Sequence, residues 1–138
     1  MNIILSIHPK WAKLIYEGKK MIEWRKNLPH RMEAVELRDG NPNFRVYLYE
    51  TAPIRKITGF FYWGGATISD ARFLNENCPL VRLGQVGINE LRKYQGENCN
   101  ICAWHIDRPQ KFKEPAILGN FNLERAPQSW CYTEVCVK

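Results

Sequence analysis

A chain of 138 residues, 45% apolar and 25% charged, can bury one hydrophobic core without a disulfide or metal staple, and its composition excludes disorder throughout. Residues 1–138 are therefore expected to form a single domain. The formal net charge of +6 excludes little by itself but favours anionic partners, nucleic acid first among them. No stretch approaches the ~18 apolar residues of a membrane span, so no membrane partner is expected. Five cysteines, an odd number, with no secretory leader pattern, read as reduced thiols in a cytoplasmic protein.

In chain order, Ile3 to Ile7 is an apolar run that reads as a strand buried on both faces. Pro9 suits the first turn of a helix, Trp11, Leu14 and Ile15 recur at helical spacing, and Gly18 supplies a C′ stop. Lys20 to Lys26 reads as a second strand. Residues two apart share a face of a strand, so Glu23 and Arg25 point together, away from Ile22 and Trp24. Ala34 to Leu37 reads either as strand or as a helical turn. Arg45 to Tyr49 and Ile57 to Trp63 read as a hairpin with Pro53 in its connection and Gly64-Gly65 as its end. Val46 and Leu48 then take one face, Tyr47 and Tyr49 the other. Ala66 to Val86 carries weak helical signals broken at Pro79 and Gly84. Ile88 to Tyr94 reads as a helix stopped by Gly96, Ile101 to Ile106 as a strand, Lys111 to Asn122 as loop, and Trp130 to Val137 as a last extended segment. Five or six short strands with two or three outer helices suggest an α+β, mainly β, small barrel.

Gly18-Lys19-Lys20-Met21-Ile22-Glu23-Trp24-Arg25 fits the pattern G-x-K-x-x-E-x-R directly after a strand and a helix. Further landmarks follow in order. Val46 to Pro53 is a strand ending in a polar turn and proline; Ile57-Thr58-Gly59-Phe60 opens the next strand; Ile88 to Tyr94 is a helix before a late strand; and Pro127-Gln128-Ser129-Trp130 with Tyr132 closes the series. From Ile3 to Tyr132 the chain resembles the ASCH domain family, relatives of the PUA RNA-binding domains. The resemblance implies a PUA-like small β-barrel of five to six strands with flanking helices, and a cleft that takes RNA or nucleotides. Known relatives are RNA- or DNA-binding modules, a ribonuclease, and hydrolases of N4-acetylcytidine. The leading expectation is an RNA- or nucleotide-binding protein with a basic cleft around the motif and DNA as the second partner. The alternative is a metal-independent hydrolase of the same cleft, either a ribonuclease or an amidohydrolase acting on a modified nucleoside. No cofactor and no metal are expected.

The residues expected to meet nucleic acid are Lys10, Lys20, Glu23, Arg25, Thr51, Gln128, Ser129 and Tyr132; in an enzyme, Lys20, Glu23 and Ser129 are the catalytic candidates. Lys20 is a solvated lysine at a helix-to-strand corner, or else a cation at the cleft mouth that holds phosphate or, once desolvated, acts as a base. Arg25 can orient Glu23 or clamp a phosphate. Gln128 can read a base edge beside an aromatic that stacks, or cap a backbone group over a buried Trp130. Thr51 and Ser6 are weaker candidates for cleft hydroxyls. His8 is a helix N-cap or a phosphate contact. Glu23 departs from the acetylcytidine-hydrolysing relatives, which resemblance implies carry a threonine nucleophile there; Ser129 would have to supply the hydroxyl. Cys99-Asn100-Ile101-Cys102 is a lone C-x-x-C, and Cys102 and His105, three apart on a strand, face opposite sides. Lys10, Lys13, Lys19, Lys20, Arg25, Lys26 and Arg31, with Arg55 and Lys56, concentrate positive charge near the motif.

Overall fold

The structure, a computed structural model, describes residues 1–137. Six strands form one mixed sheet: β1 (Asn2–Ile7), β2 (Ile22–Arg25), β3 (Asn41–Glu50), β4 (Lys56–Ser69), β5 (Ile101–Ala116) and β6 (Trp130–Thr133). Their spatial order is β2-β5-β4-β3-β1-β6, with β1 parallel to β3 and the other pairs antiparallel. The sheet curls into a half-barrel, and its end strands β2 and β6 share no ladder. Four helices flank it: α1 (Pro9–Tyr16), α2 (Ala34–Asp39), α3 (Pro79–Gly84) and α4 (Ile88–Gln95). None is long and apolar enough to cross a membrane.

Period-2 alternation sorts the sheet's two faces. Ile3, Leu5, Val46, Leu48, Phe61, Trp63 and Trp104 fill the inner core. Tyr47, Tyr49 and Phe60 pack on the outer side with Ile4, Ile57 and Phe121. Ile22 and Trp24 join α3 and α4 in a third cluster through Val81, Ile88 and Leu91. Glu23 and Arg25 thus take the opposite face, as their spacing requires.

Several boundaries differ from the sequence reading, each for a local reason. The ambiguous segment around Ala34 is helix α2, whose Glu33 and Glu36 form a reciprocal capping box. β4 does not end at Gly64-Gly65 but bulges there, between Trp63 and Ala66. Gly65 has φ +101°, and a Cβ on it would lie 2.3 Å from the Arg38 carbonyl oxygen, so glycine lets the strand pass α2. β5 continues ten residues beyond Ile106 to Ala116. The segment read as loop from Lys111 thus begins inside the strand, and Pro109 and Pro115 both fall where the β4–β5 register shifts and no ladder donor is needed. The final extended segment forms a strand only over Trp130–Thr133. The 66–86 stretch holds the end of β4, a 3-10 turn at Ala71–Phe73 and α3, with Pro79 in its first turn.

Candidate functional site

The site lies in the open seam between β2 and the β1–β6 pair. Arg25, on β2, spans that seam. Its Nη2 donates to the Ser6 carbonyl of β1 (3.0 Å), and its Nη1 donates to the Ser129 hydroxyl just before β6 (3.0 Å). Nε and Nη2 both donate to one carboxylate oxygen of Glu23, Oε2, at 3.2 and 2.7 Å. The other oxygen, Oε1, faces the Lys20 ammonium at 3.3 Å. One carboxylate therefore sits between two cations. Lys20 is 1% exposed and Glu23 6%.

Lys20 is at the floor of the cleft, not its mouth. Gly18, at φ +76°, turns the chain out of α1 and aims Lys20 inward. There Nζ donates to the Gly84 carbonyl, and the backbone N–H of Met21 donates to Leu83 (2.8 Å). Both acceptors are last-turn carbonyls of α3, which have no partner within the helix and favour a cation. Burial pulls the Lys20 pKa below its ordinary 10.5; the adjacent Glu23 carboxylate opposes that shift in part.

Above this trio is a cavity of about 240 Å³, walled by Trp11, Trp24, Val86, Leu91 and Tyr94, and lined also by Ser6, His8 and exposed Glu90. The Lys10 and Lys20 ammonium groups lie 4.5 and 5.1 Å from the Trp11 ring centroid. The indole N–H of Trp24 is buried with no partner among the described residues. It packs on Gly84, where an added Cβ would lie 2.5 Å from Nε1. Gly84→Ala is therefore expected to cost about 2 kcal/mol and to shift Trp24 fluorescence, as measured by urea denaturation with emission spectra. Unchanged stability would mean that this contact is loose.

The other expected residues are distributed unevenly. Ser129 and Gln128 are exposed and line a second cavity of about 340 Å³ with Arg25, Lys26, Asn27, Tyr94 and Trp130. Tyr132 is not with them. It points to the inner core, and its hydroxyl accepts the Arg31 backbone N–H at 3.0 Å under the Arg31 guanidinium. Thr51 closes the end of β3, donating its backbone N–H to Ile7 (2.9 Å), and lines neither cavity. Lys10 stands at the rim over Trp11. His8 is the N-cap of α1, accepting the Lys10 N–H through Nδ1 at 3.2 Å. Trp11 and Tyr94 were not among the expected site residues. Tyr94 lies three after Leu91 on α4, one helical step from a core position, and that spacing was the available signal. Cys99 is exposed, whereas Cys102 is buried in the inner core with its thiol pushed up by burial. His105 lies on the opposite face of β5, beside Thr67 (2.9 Å). Among the described residues no three His, Cys, Asp or Glu gather as a metal site.

A family model described as ASCH domain matches residues 5–59, from β1 through the Lys20–Glu23–Arg25 motif into β4. Over these residues the chain matches the ASCH domain family. An ASCH domain-containing ribonuclease from Zymomonas mobilis subsp. mobilis is 32% identical over 59 residues, 43% of this chain and 34% of that protein. The match thus spans about a third of that relative's length. The crystal structure of ASCH from Zymomonas mobilis superposes with a TM-score of 0.76 at 22% identity, covering 96% of this chain and 87% of that one. A tyrosine-to-phenylalanine mutant of ZmASCH gives 0.75 at 21%, covering 96% and 90%. At these identities the likeness is one of fold, and it covers nearly the whole chain.

Proposed function

We propose that this chain binds single-stranded RNA, with a nucleotide seated over Lys20, Glu23 and Arg25. The observation that carries the proposal is the charge count of the trio: two cations to one carboxylate, with Lys20 and Glu23 out of solvent. A buried surplus of positive charge favours an anionic group above it, and phosphate geometry suits an arginine fork. Trp11 and Tyr94 supply aromatic walls on which a base can stack. A cavity of about 240 Å³ suits a single nucleotide and excludes a duplex. The relative named a ribonuclease supports RNA as the nucleic acid.

The test is affinity for single-stranded RNA in EDTA across a salt series. Two phosphate-contacting cations predict a log–log slope of roughly −1.4, steeper if Lys10 and Lys26 join. Salt-independent binding, or none, would overturn the proposal.

One observation favours a second reading, metal-independent RNA cleavage in the same cavity. The lowered pKa of Lys20 raises its free-amine fraction near neutrality. In that form it can take the proton of a ribose 2′-hydroxyl, whose oxygen attacks the adjacent phosphorus. The bond from phosphorus to the 5′-oxygen then breaks, and that oxygen takes a proton. The products are a 2′,3′-cyclic phosphate and a 5′-hydroxyl, while Arg25 holds the phosphate. A base must be unprotonated, so the rate is expected to rise with pH through the lowered Lys20 pKa and then level off. Mass spectrometry of the ends formed in EDTA checks the chemistry; cleavage retained in Lys20→Ala would contradict it. Amide hydrolysis is not favoured: position 23 carries no hydroxyl, and the Ser129 hydroxyl accepts a hydrogen bond from Arg25.

A further inference from the structure

The cavity over Lys20 and the cavity beside Ser129 share two walls, Arg25 and Tyr94. We infer that they are consecutive subsites of one groove, and that the ligand is a dinucleotide step of single-stranded RNA whose bridging phosphate lies against Arg25. The inference rests on the RNA-binding reading and extends it to a minimum ligand length and a second base-reading compartment.

Arg25 is the partition. Of its five N–H donors, four are engaged: Nε with Glu23, Nη2 with Glu23 and with Ser6, and Nη1 with Ser129. The fifth, on Nη1, has no partner among the described residues, and Arg25, as a wall common to both cavities, marks their junction. A phosphate at that junction takes this donor without breaking the four bonds that fix the guanidinium.

The two compartments differ in chemistry. The inner one contains the buried Lys20–Glu23 pair and exposed Glu90. The outer one has only cations among its charged walls, Arg25 and Lys26, together with the side-chain amides of Asn27 and Gln128 and the half-buried Trp130. Asn27, Gln128 and Lys26 are all exposed, and none makes a side-chain hydrogen bond among those described. Amides with both donor and acceptor free, beside an aromatic and cations, suit the edge and face of an unpaired base next to phosphate. Tyr94 serves both sides. Burial raises its phenol pKa, against the opposing pull of Arg25, so it stays a neutral aromatic wall, and Lys26 lies 4.9 Å from its ring centroid.

The test is the ratio of affinities, measured calorimetrically in EDTA, for a dinucleotide with a 2′-O-methyl linkage that cannot be cleaved and for the corresponding 5′-mononucleotide. Wild type is expected to bind the dinucleotide about tenfold more tightly, the size of one further stacked base. In Gln128→Ala and Lys26→Ala the ratio is expected to fall toward one. A ratio near one in wild type, or one unmoved by both variants, overturns the second subsite but leaves RNA binding standing. Failure of wild type to bind the dinucleotide, the mononucleotide and longer RNA overturns both.

Discussion

Lys20→Met is expected to erase the surplus charge of the site without unfolding the protein. Methionine is close to lysine in length and fills the slot against Trp11. The Glu23 carboxylate is not stranded, because Arg25 still donates to Oε2 from two nitrogens. The Gly84 carbonyl loses a partner, a cost of about 1–3 kcal/mol, while removing a buried ammonium returns its desolvation penalty. The two nearly offset, so stability is expected within about 1 kcal/mol of wild type. The variant also changes the pH dependence of folding. Lys20 has a folded-state pKa below the ordinary 10.5. Between those two values the unfolded chain holds a proton that the folded chain lacks, so wild-type stability rises with pH across that window. Lys20→Met removes this rise. Denaturant melts at several pH values below 10 check it; a parallel pH profile in the variant would mean that Lys20 is not desolvated.

Glu23→Gln acts in the opposite sense and is expected to be the most destabilising single change in the site. It leaves the Lys20 and Arg25 cations beside a neutral amide at a buried position. Breaking a buried pair by removing one partner costs on the order of 3 kcal/mol. Without the carboxylate that raises it, the Lys20 pKa drops further, so the deficit shrinks as pH rises and Lys20 loses its proton. Phosphate or sulfate, by replacing the missing negative charge, should stabilise this variant more than wild type, readable as a larger rise in melting temperature. A variant as stable as wild type at neutral pH would show that Glu23 is not what balances the two cations.

What could be read ahead of the structure follows the range of the signals. Period-2 alternation placed Glu23 and Arg25 together and opposite Ile22 and Trp24, because that needs only neighbours along one strand. The burial of Lys20 depends on Gly84, Leu83 and Trp11, groups brought in from α1 and from a stretch with no hydrophobic period of its own. Local reading therefore put Lys20 at the mouth. Reading Lys111 to Asn122 as loop around Pro115 hid the length of β5, since a proline marks a break only where the ladder needs an N–H at its position, and register decides that. Gln128, Trp130 and Tyr132 read as one polar and aromatic cluster, but the chain enters β6 at Trp130. Residues before the strand face the seam, while Tyr132 turns into the core.

Whether Lys20 and Arg25 together recruit RNA is read from the single-stranded RNA affinity of wild type beside Lys20→Met, in EDTA, across a salt series. Binding is expected to be at least about tenfold weaker in the folded variant, with a log–log salt slope shallower by about 0.7. Equal affinity and equal slope in a variant shown to be folded would contradict it.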